Sequence, residues 1–169
     1  IAPGSHALAT KDNNGKDDYR IRFGGDFVYI INDSLDFSVG LEKETRSNGV
    51  YRLYSLDMPN YPLVTFLEKD QVDEFSVFSQ IDYKYEDWRV LVGARFTDNE
   101  ISGQKTTSRT AISYNIDEYQ SLKYLHSTGF NSPNPTQTSI NAAGNVIGNK
   151  SLTAEVVTTQ DFAYSYSKD

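Results

Sequence analysis

The 169 residues carry 16 Lys and Arg against 23 Asp and Glu, and the resulting net charge of −7 argues against nucleic acid, whose phosphates need clustered cations. There is no cysteine, which excludes disulfide frameworks, thiolate metal sites and cysteine nucleophiles. No apolar run approaches the ~18 residues of a membrane helix, and the mean hydropathy is −0.54. Yet 12 Tyr, 9 Phe and 1 Trp are spread along the chain. That combination suits a wall in which every second residue meets lipid, and it suits a soluble β-sandwich too.

The opening stretch, IAPGSHALATKDNNGKDD, has no basic start and no apolar core, so it is no signal peptide. Its DNNGKDD segment, Asp12 to Asp18, resembles a calcium loop superficially. It lacks the glutamate that EF-hand spacing requires and is expected to be a solvated acidic loop.

From Tyr19 the pattern turns to period two. Tyr19, Ile21, Phe23, Phe27, Tyr29 and Ile31 share one face, while Arg20, Arg22, Gly24 and Asp26 share the other. After Asn32-Asp33-Ser34, Leu35, Phe37, Val39 and Leu41 alternate with Asp36, Ser38, Gly40 and Glu42. The same alternation returns in DEFSVFSQIDYKYED, WRVLVGARF, RTAISYNI, SLKYLHSTGF and Thr153 to Tyr166, which makes seven strands and no helix. Tyr19–Ile31 and Asp73–Tyr85 each alternate over 13 residues. Soluble strands run about five or six residues, and tilted membrane-crossing strands about nine to eleven.

The connections fall into two classes. NDS, ED and IDEY are short turns, whereas Thr45 to Gln71, Asp98 to Lys105 and Asn131 to Ser151 read as long polar loops. Short turns at one end and long loops at the other are the habit of outer-membrane barrels. Tyr83, Tyr85 and Trp88 flank the ED turn, Tyr29 and Phe37 flank NDS, and Phe96 and Phe130 lie at long-loop ends. Two aromatic girdles would sit there.

No catalytic constellation is visible, so enzyme activity is not expected, and neither is a cofactor or a metal. His6 and His126 have no ligand spacing between them. His126 interrupts an apolar face, which predicts a register shift, a bulge or an interfacial position. Arg20, Arg22, Arg89, Arg95 and Arg109 alternate inward with carboxylates, to pair with one another or with a domain filling the lumen. Function can also live in loops. Tyr51, Tyr54, Tyr61 and Phe66 in YRLYSLDMPNYPLVTF are candidates to stack on a ligand or to fold their loop onto itself. Asn131 to Ser151 reads as a mobile loop without chemistry.

FSQIDYKYEDWRVLVGARF resembles the strand–turn–strand unit of TonB-dependent outer-membrane receptors, through Phe78, Gln80, Gly93 and Arg95. SLKYLHSTGFNSPN resembles a second motif of that family, through Leu122, Gly129, Phe130, Ser132, Pro133 and Asn134. GNKSLTAE resembles a third, through Gly148, Asn149, Leu152 and Glu155, with Lys150 and Ala154 where the family has proline.

The resemblance implies an all-β, antiparallel up-and-down transmembrane barrel of about 22 strands. Residues 1–169 would form a single segment of that barrel, with the plug domain absent and with no final aromatic at AYSYSKD. It implies energised uptake of a scarce large solute, such as a siderophore-bound metal, cobalamin or a glycan, across the outer membrane of a Gram-negative bacterium. The implied partners are the plug, the remaining strands, the TonB complex acting through the plug, and lipid or lipopolysaccharide. Two other architectures fit the pattern: a complete small outer-membrane barrel of about eight strands, and a soluble β-sandwich that binds carbohydrate through its loop tyrosines.

Overall fold

Period-two alternation becomes long antiparallel strands in the computed structural model, which describes residues 8–12, 18–55, 62–68, 70–142 and 146–168. In chain order the elements are β1 (Leu8–Asp12), β2 (Tyr19–Asn32), β3 (Leu35–Asn48), β4 (Tyr51–Ser55), β5 (Pro62–Leu67), β6 (Asp70–Tyr85), β7 (Trp88–Asn99), β8 (Gly103–Asn115), β9 (Gln120–Asn131), α1 (Pro135–Ser139), β10 (Asn141–Ala142), β11 (Val146–Ile147) and β12 (Glu155–Tyr166). One seven-stranded sheet has the order β12-β9-β8-β7-β6-β3-β2, a meander in which β2 and β12 are the edges. Its members are 12 to 16 residues long, more than the about nine to eleven that a tilted span requires.

The seven expected strands are the seven of this sheet. Two further sheets, β1-β4-β5 and β10-β11, and the helix α1 fall outside the expected strands: β4, β5, β10, β11 and α1 lie within stretches expected to be loops, and β1 precedes the expected acidic loop. The Asp98–Lys105 loop shrinks to a turn: β7 and β8 stay paired to Asn99–Gly103. Asn99 Oδ1 accepts the Ile101 and Ser102 N–H groups at 3.0 Å each, and Gly103 takes the positive φ of 67° that closes the turn.

By internal contacts the chain divides into two compact units. One comprises residues 1–21, 44–73 and 133–153, and the other residues 22–43, 74–132 and 154–169. The second unit holds most of the long sheet.

Burial is inverted relative to a water-soluble protein. The fully buried side chains Ser76, Thr97 and Asn99 are polar, and Glu44 is only 2% exposed. Val72 is the one buried apolar side chain among the described residues. Phe23, Phe27, Ile81, Val92 and Phe162 are exposed, Phe162 to 81%. Alternate apolar residues of the sheet therefore lie open rather than packed between two layers, which removes the sandwich reading. Rings cluster near the short turns: Trp88 lies tilted against its cross-strand partner Tyr114 at 4.5 Å, and Tyr124 against Phe162 at 4.7 Å.

Candidate functional site

In the first unit β4 pairs with both β1 and β5, so the described parts of the tyrosine-rich stretch are two paired antiparallel strands. The β4–β5 register slips between Tyr51 and Arg52, making Phe66 an extra residue between the partners Leu67 and Thr65. The Phe66 ring lies 5.2 Å from that of Tyr51. Tyr54 pairs with Pro62. Tyr61 lies outside the described residues. Three of the four expected ligand-stacking residues thus stand on one hairpin, with Tyr51 and Phe66 in ring contact.

Beside β5 lie α1 and β10. α1 begins where the sequence supplies Asn134, Pro135 and Gln137. The Asn134 side chain accepts the Gln137 N–H at 2.9 Å, and the Gln137 side chain accepts the Asn134 N–H at 2.9 Å, a reciprocal cap with proline in the first turn. Gly148 then crosses the end of this helix. A Cβ there would stand 2.5 Å from Ser139 N and from Thr138 C, both backbone atoms that cannot swing away. The Gly148 N–H donates to Ile140 O at 2.7 Å and the Asn149 N–H to Gln137 O at 2.9 Å. Asn149 Oδ1 accepts the Ser151 N–H at 2.9 Å. Within the stretch expected to be a mobile loop without chemistry, the described residues around α1 and Gly148–Ser151 therefore form a built latch, because the capping residues and a glycine at the crossing satisfy their backbone locally. Asn134, Gly148 and Asn149 are its fasteners.

Charges also pair within the first unit. Arg20 Nε lies 2.8 Å from Glu44 Oε1, and Arg46 Nε lies 3.1 Å from the same oxygen.

In the second unit the polar face of the sheet is laced by opposite charges. Glu42 Oε1 accepts from Arg95 at 2.8 Å and faces Arg22 at 3.7 Å. Asp82 accepts from Arg89 Nε at 2.9 Å, and Lys84 reaches Asp36 at 4.0 Å. Gln80 sits opposite Gly93 and Phe78 opposite Arg95, whose guanidinium lies 5.7 Å from the Phe78 ring centre. Around Gly93 a depression of about 310 Å³ is lined by Phe78, Gln80, Arg95, Thr107, Arg109 and Ser127. The expected inward arginines are thus mostly paired with carboxylates. Arg109 makes no ion pair among the described residues.

The remaining motif positions fall at strand ends. Gly129, Phe130 and Glu155 pair across β9 and β12, Glu155 with Asn131 and Phe130 with Val156. Leu152 N–H donates to Asn149 O at 3.3 Å, and Ser132 holds Ser102 hydroxyl to hydroxyl at 2.7 Å. Pro133 leads into the cap. Sequence reasoning missed Gly40, which a Cβ would drive to 2.3 Å from Phe78 Cζ. Its only signal was a glycine on the polar face of a strand.

An open antiparallel meander with a charged, partly buried face and an exposed apolar face is a wall of a membrane-type β-barrel. The chain belongs to the TonB-dependent receptor family: the model described as "TonB dependent receptor-like, beta-barrel" matches residues 3–169. Among solved structures it is similar to the siderophore receptor PirA from Pseudomonas aeruginosa, with a TM-score of 0.71 and 16% identity over 89% of this chain and 28% of that one. It is also similar to a mutant of the ferric enterobactin receptor PfeA from Pseudomonas aeruginosa in complex with enterobactin, with a TM-score of 0.67 and 16% identity over 90% of this chain and 25% of that one. At that identity the likeness is one of fold. The chain spans about a quarter of the length of these receptors. No curated protein matches it.

Proposed function

We propose that this chain is part of the wall of an outer-membrane active transporter of Gram-negative bacteria, one that imports a scarce large solute with energy supplied through TonB. The observation that carries the reading is the inverted sheet, polar side chains buried and apolar ones exposed, in a chain matched by the family over residues 3–169. A metal–siderophore chelate is the favoured solute over cobalamin or a glycan, since the two similar structures named above are described as a siderophore receptor and a ferric enterobactin receptor. Tyr51, Tyr54 and Phe66, with Tyr61 next to them in sequence, would offer rings for a planar or aromatic chelate to stack on.

The polar face would meet a plug domain, with Arg109 free to take a plug carboxylate while Glu42 and Asp82 are held by Arg95 and Arg89. Lipid and lipopolysaccharide would cover the apolar face. No catalytic role is proposed.

The test is uptake by the intact receptor, expressed in the outer membrane of a strain lacking its own siderophore receptors. Radio-iron should enter from one of a panel of ferric siderophores, and entry should stop when TonB is deleted. Equal uptake without TonB, or recovery of the receptor in the soluble fraction, would overturn the reading. Uptake of cobalamin or an oligosaccharide instead would keep the transporter and change the solute.

A further inference from the structure

On the apolar face, beside the short turns, a groove of about 480 Å³ runs over β8, β9 and β12. Cross-strand register builds it from two rungs, Trp88–Tyr114–Leu122–Tyr164 and Val90–Ile112–Tyr124–Phe162. The ring pair Trp88 and Tyr114, 4.5 Å apart, stands on one side, and the pair Tyr124 and Phe162, 4.7 Å apart, on the other. Leu122 and Ile112 lie between the pairs, and the smaller side chains leave the space. Lys123 and Ala163 also border the groove, but they belong to the polar-face rung with Arg89 and Ser113. Toward mid-wall the groove ends before the rung Thr110–His126–Gln160, which pairs in unbroken register without the expected bulge or shift.

The turn end of the groove is polar and built. Tyr164 Oη donates to Gln120 Oε1 at 2.7 Å, and Gln120 Nε2 donates to Asp117 Oδ2 at 2.5 Å. Asp117 Oδ1 accepts the Tyr119 N–H at 2.8 Å, which fixes the carboxylate in its turn. The two neighbouring turns lie side by side, because the Asn115 N–H donates to Asp87 O at 2.9 Å. Glu86 and Asp87 of one turn thereby join Asp117 and Glu118 of the other, with Lys168 the one cation just past β12. Asp87 and Glu118 make no ion pair among the described residues. The nearby cations Lys84, Arg89 and Lys123 share a rung of the opposite, polar face.

We infer that this groove holds one phospholipid with an ammonium headgroup. The glycerol and upper acyl carbons lie over Leu122 and Ile112 between the ring pairs, and the ammonium lies among the carboxylates of Asp87 and Glu118. The inference rests on the reading that the apolar face meets lipid and that the short turns are periplasmic. Charge selects the occupant. Anionic lipid heads are drawn to clustered Lys and Arg, whereas four carboxylates and one lysine repel a head that carries phosphate alone. A head that carries both charges can place its ammonium at the carboxylates and its phosphate toward Lys168.

The intact receptor, extracted from the outer membrane in mild detergent, is titrated with phosphatidylethanolamine and separately with phosphatidylglycerol, and retained lipid is counted by native mass spectrometry. One phosphatidylethanolamine should be retained, at a concentration roughly tenfold lower than phosphatidylglycerol requires. Asp87→Asn with Glu118→Gln should erase that preference without touching the groove. Leu122→Trp, which fills the groove, should lower retention of both lipids. Heat-dependent gel mobility and TonB-dependent uptake are read on the same preparations. A receptor that assembles and transports yet holds the two lipids equally overturns the lipid site and leaves the transporter reading standing. So does a preference that survives removal of both carboxylates, or retention unchanged by Leu122→Trp in an assembled barrel.

Discussion

The ring of Phe78 occupies the space that a side chain at Gly40 would fill, with Phe78 Cζ only 2.3 Å from where a Cβ would stand. The two residues lie on neighbouring strands of the polar face. Gly40 thereby lets an aromatic ring lie down among charges, and Arg95 rests over that ring while donating to Glu42. Gly40→Val should expel the ring and destabilise the barrel by about 1–3 kcal/mol, the usual cost of overpacking. Phe78→Ala in the same background should restore part of that loss. Denaturant unfolding of the intact receptor, followed by gel mobility, measures both, and strictly additive effects would show that the two residues do not share the space.

Two glutamates on β3 carry the same charge and should respond differently to removal. Glu44 is 2% exposed and serves Arg20 and Arg46, whereas Glu42 is 20% exposed and serves Arg95 and Arg22. Glu44→Leu removes a buried acceptor from two guanidinium groups and should cost about 2 kcal/mol. Glu42→Leu acts in a wetter place and should cost no more than about 1 kcal/mol. Raising the salt concentration should shrink the second loss more than the first. The unfolding midpoints of the two variants at low and high salt decide it.

The seven wall strands were legible because a wall with one polar and one apolar face prints its period on every strand. The polar tips of β7 and β8 were not: Asp98, Glu100 and Gln104 look like loop residues, and only cross-strand pairing to Asn99–Gly103 makes them strand and turn. β1, β4 and β5 are short, and their order comes from pairing with one another, which local pattern does not record. For α1 the signal was present and unused. Asn134, Pro135 and Gln137 spell a helix start, but a five-residue helix has no periodicity to confirm it. At the loop, the four aromatics were visible as a cluster in sequence. The bulge that brings Phe66 to Tyr51 depends on β5 register, which no residue in the loop announces.

The latch around α1 should fail at Gly148 before it fails at its cap. Gly148→Ala places a methyl 2.5 Å from helix backbone, so the crossing strand must move. Asn134→Ala removes one capping hydrogen bond, a loss of about 1 kcal/mol. Amide exchange should therefore accelerate across residues 135–151 strongly in Gly148→Ala and mildly in Asn134→Ala, with the wall strands unchanged. Equal protection in both variants would mean that the glycine does not hold the latch.

The hairpin rings allow the ligand reading to be separated from the folding one. Tyr51→Ala and Phe66→Ala each remove a partner from a 5.2 Å ring contact worth about 0.5–1.5 kcal/mol to the hairpin. Tyr51→Phe preserves that contact and removes only the hydroxyl. If the rings stack on solute, the two alanine variants should weaken solute binding by roughly tenfold, with Tyr51→Phe close to the parent. Titration of the solute against the intact receptor, alongside proteolysis of the hairpin, reads both effects. Loosened hairpins with unchanged affinity would assign the rings to local folding alone.

Leu91 and Val92 are adjacent on β7 and point to opposite faces of the sheet. Leu91 pairs across to Asp82 on the polar face, and Val92 pairs across to Ile81 on the apolar one. If hydrocarbon covers the apolar face, Val92→Arg should cost about 2–4 kcal/mol at mid-wall, and little of the variant should reach the heat-resistant assembled form. Leu91→Arg places the same charge beside Asp82, where it is hydrated and can find an acceptor, and assembly should proceed near the parent level. A one-residue shift thus reverses the outcome, because period-two alternation moves a side chain from one solvent to the other. Tolerance of arginine at both positions would mean that water, not lipid, bathes the face carrying Val92.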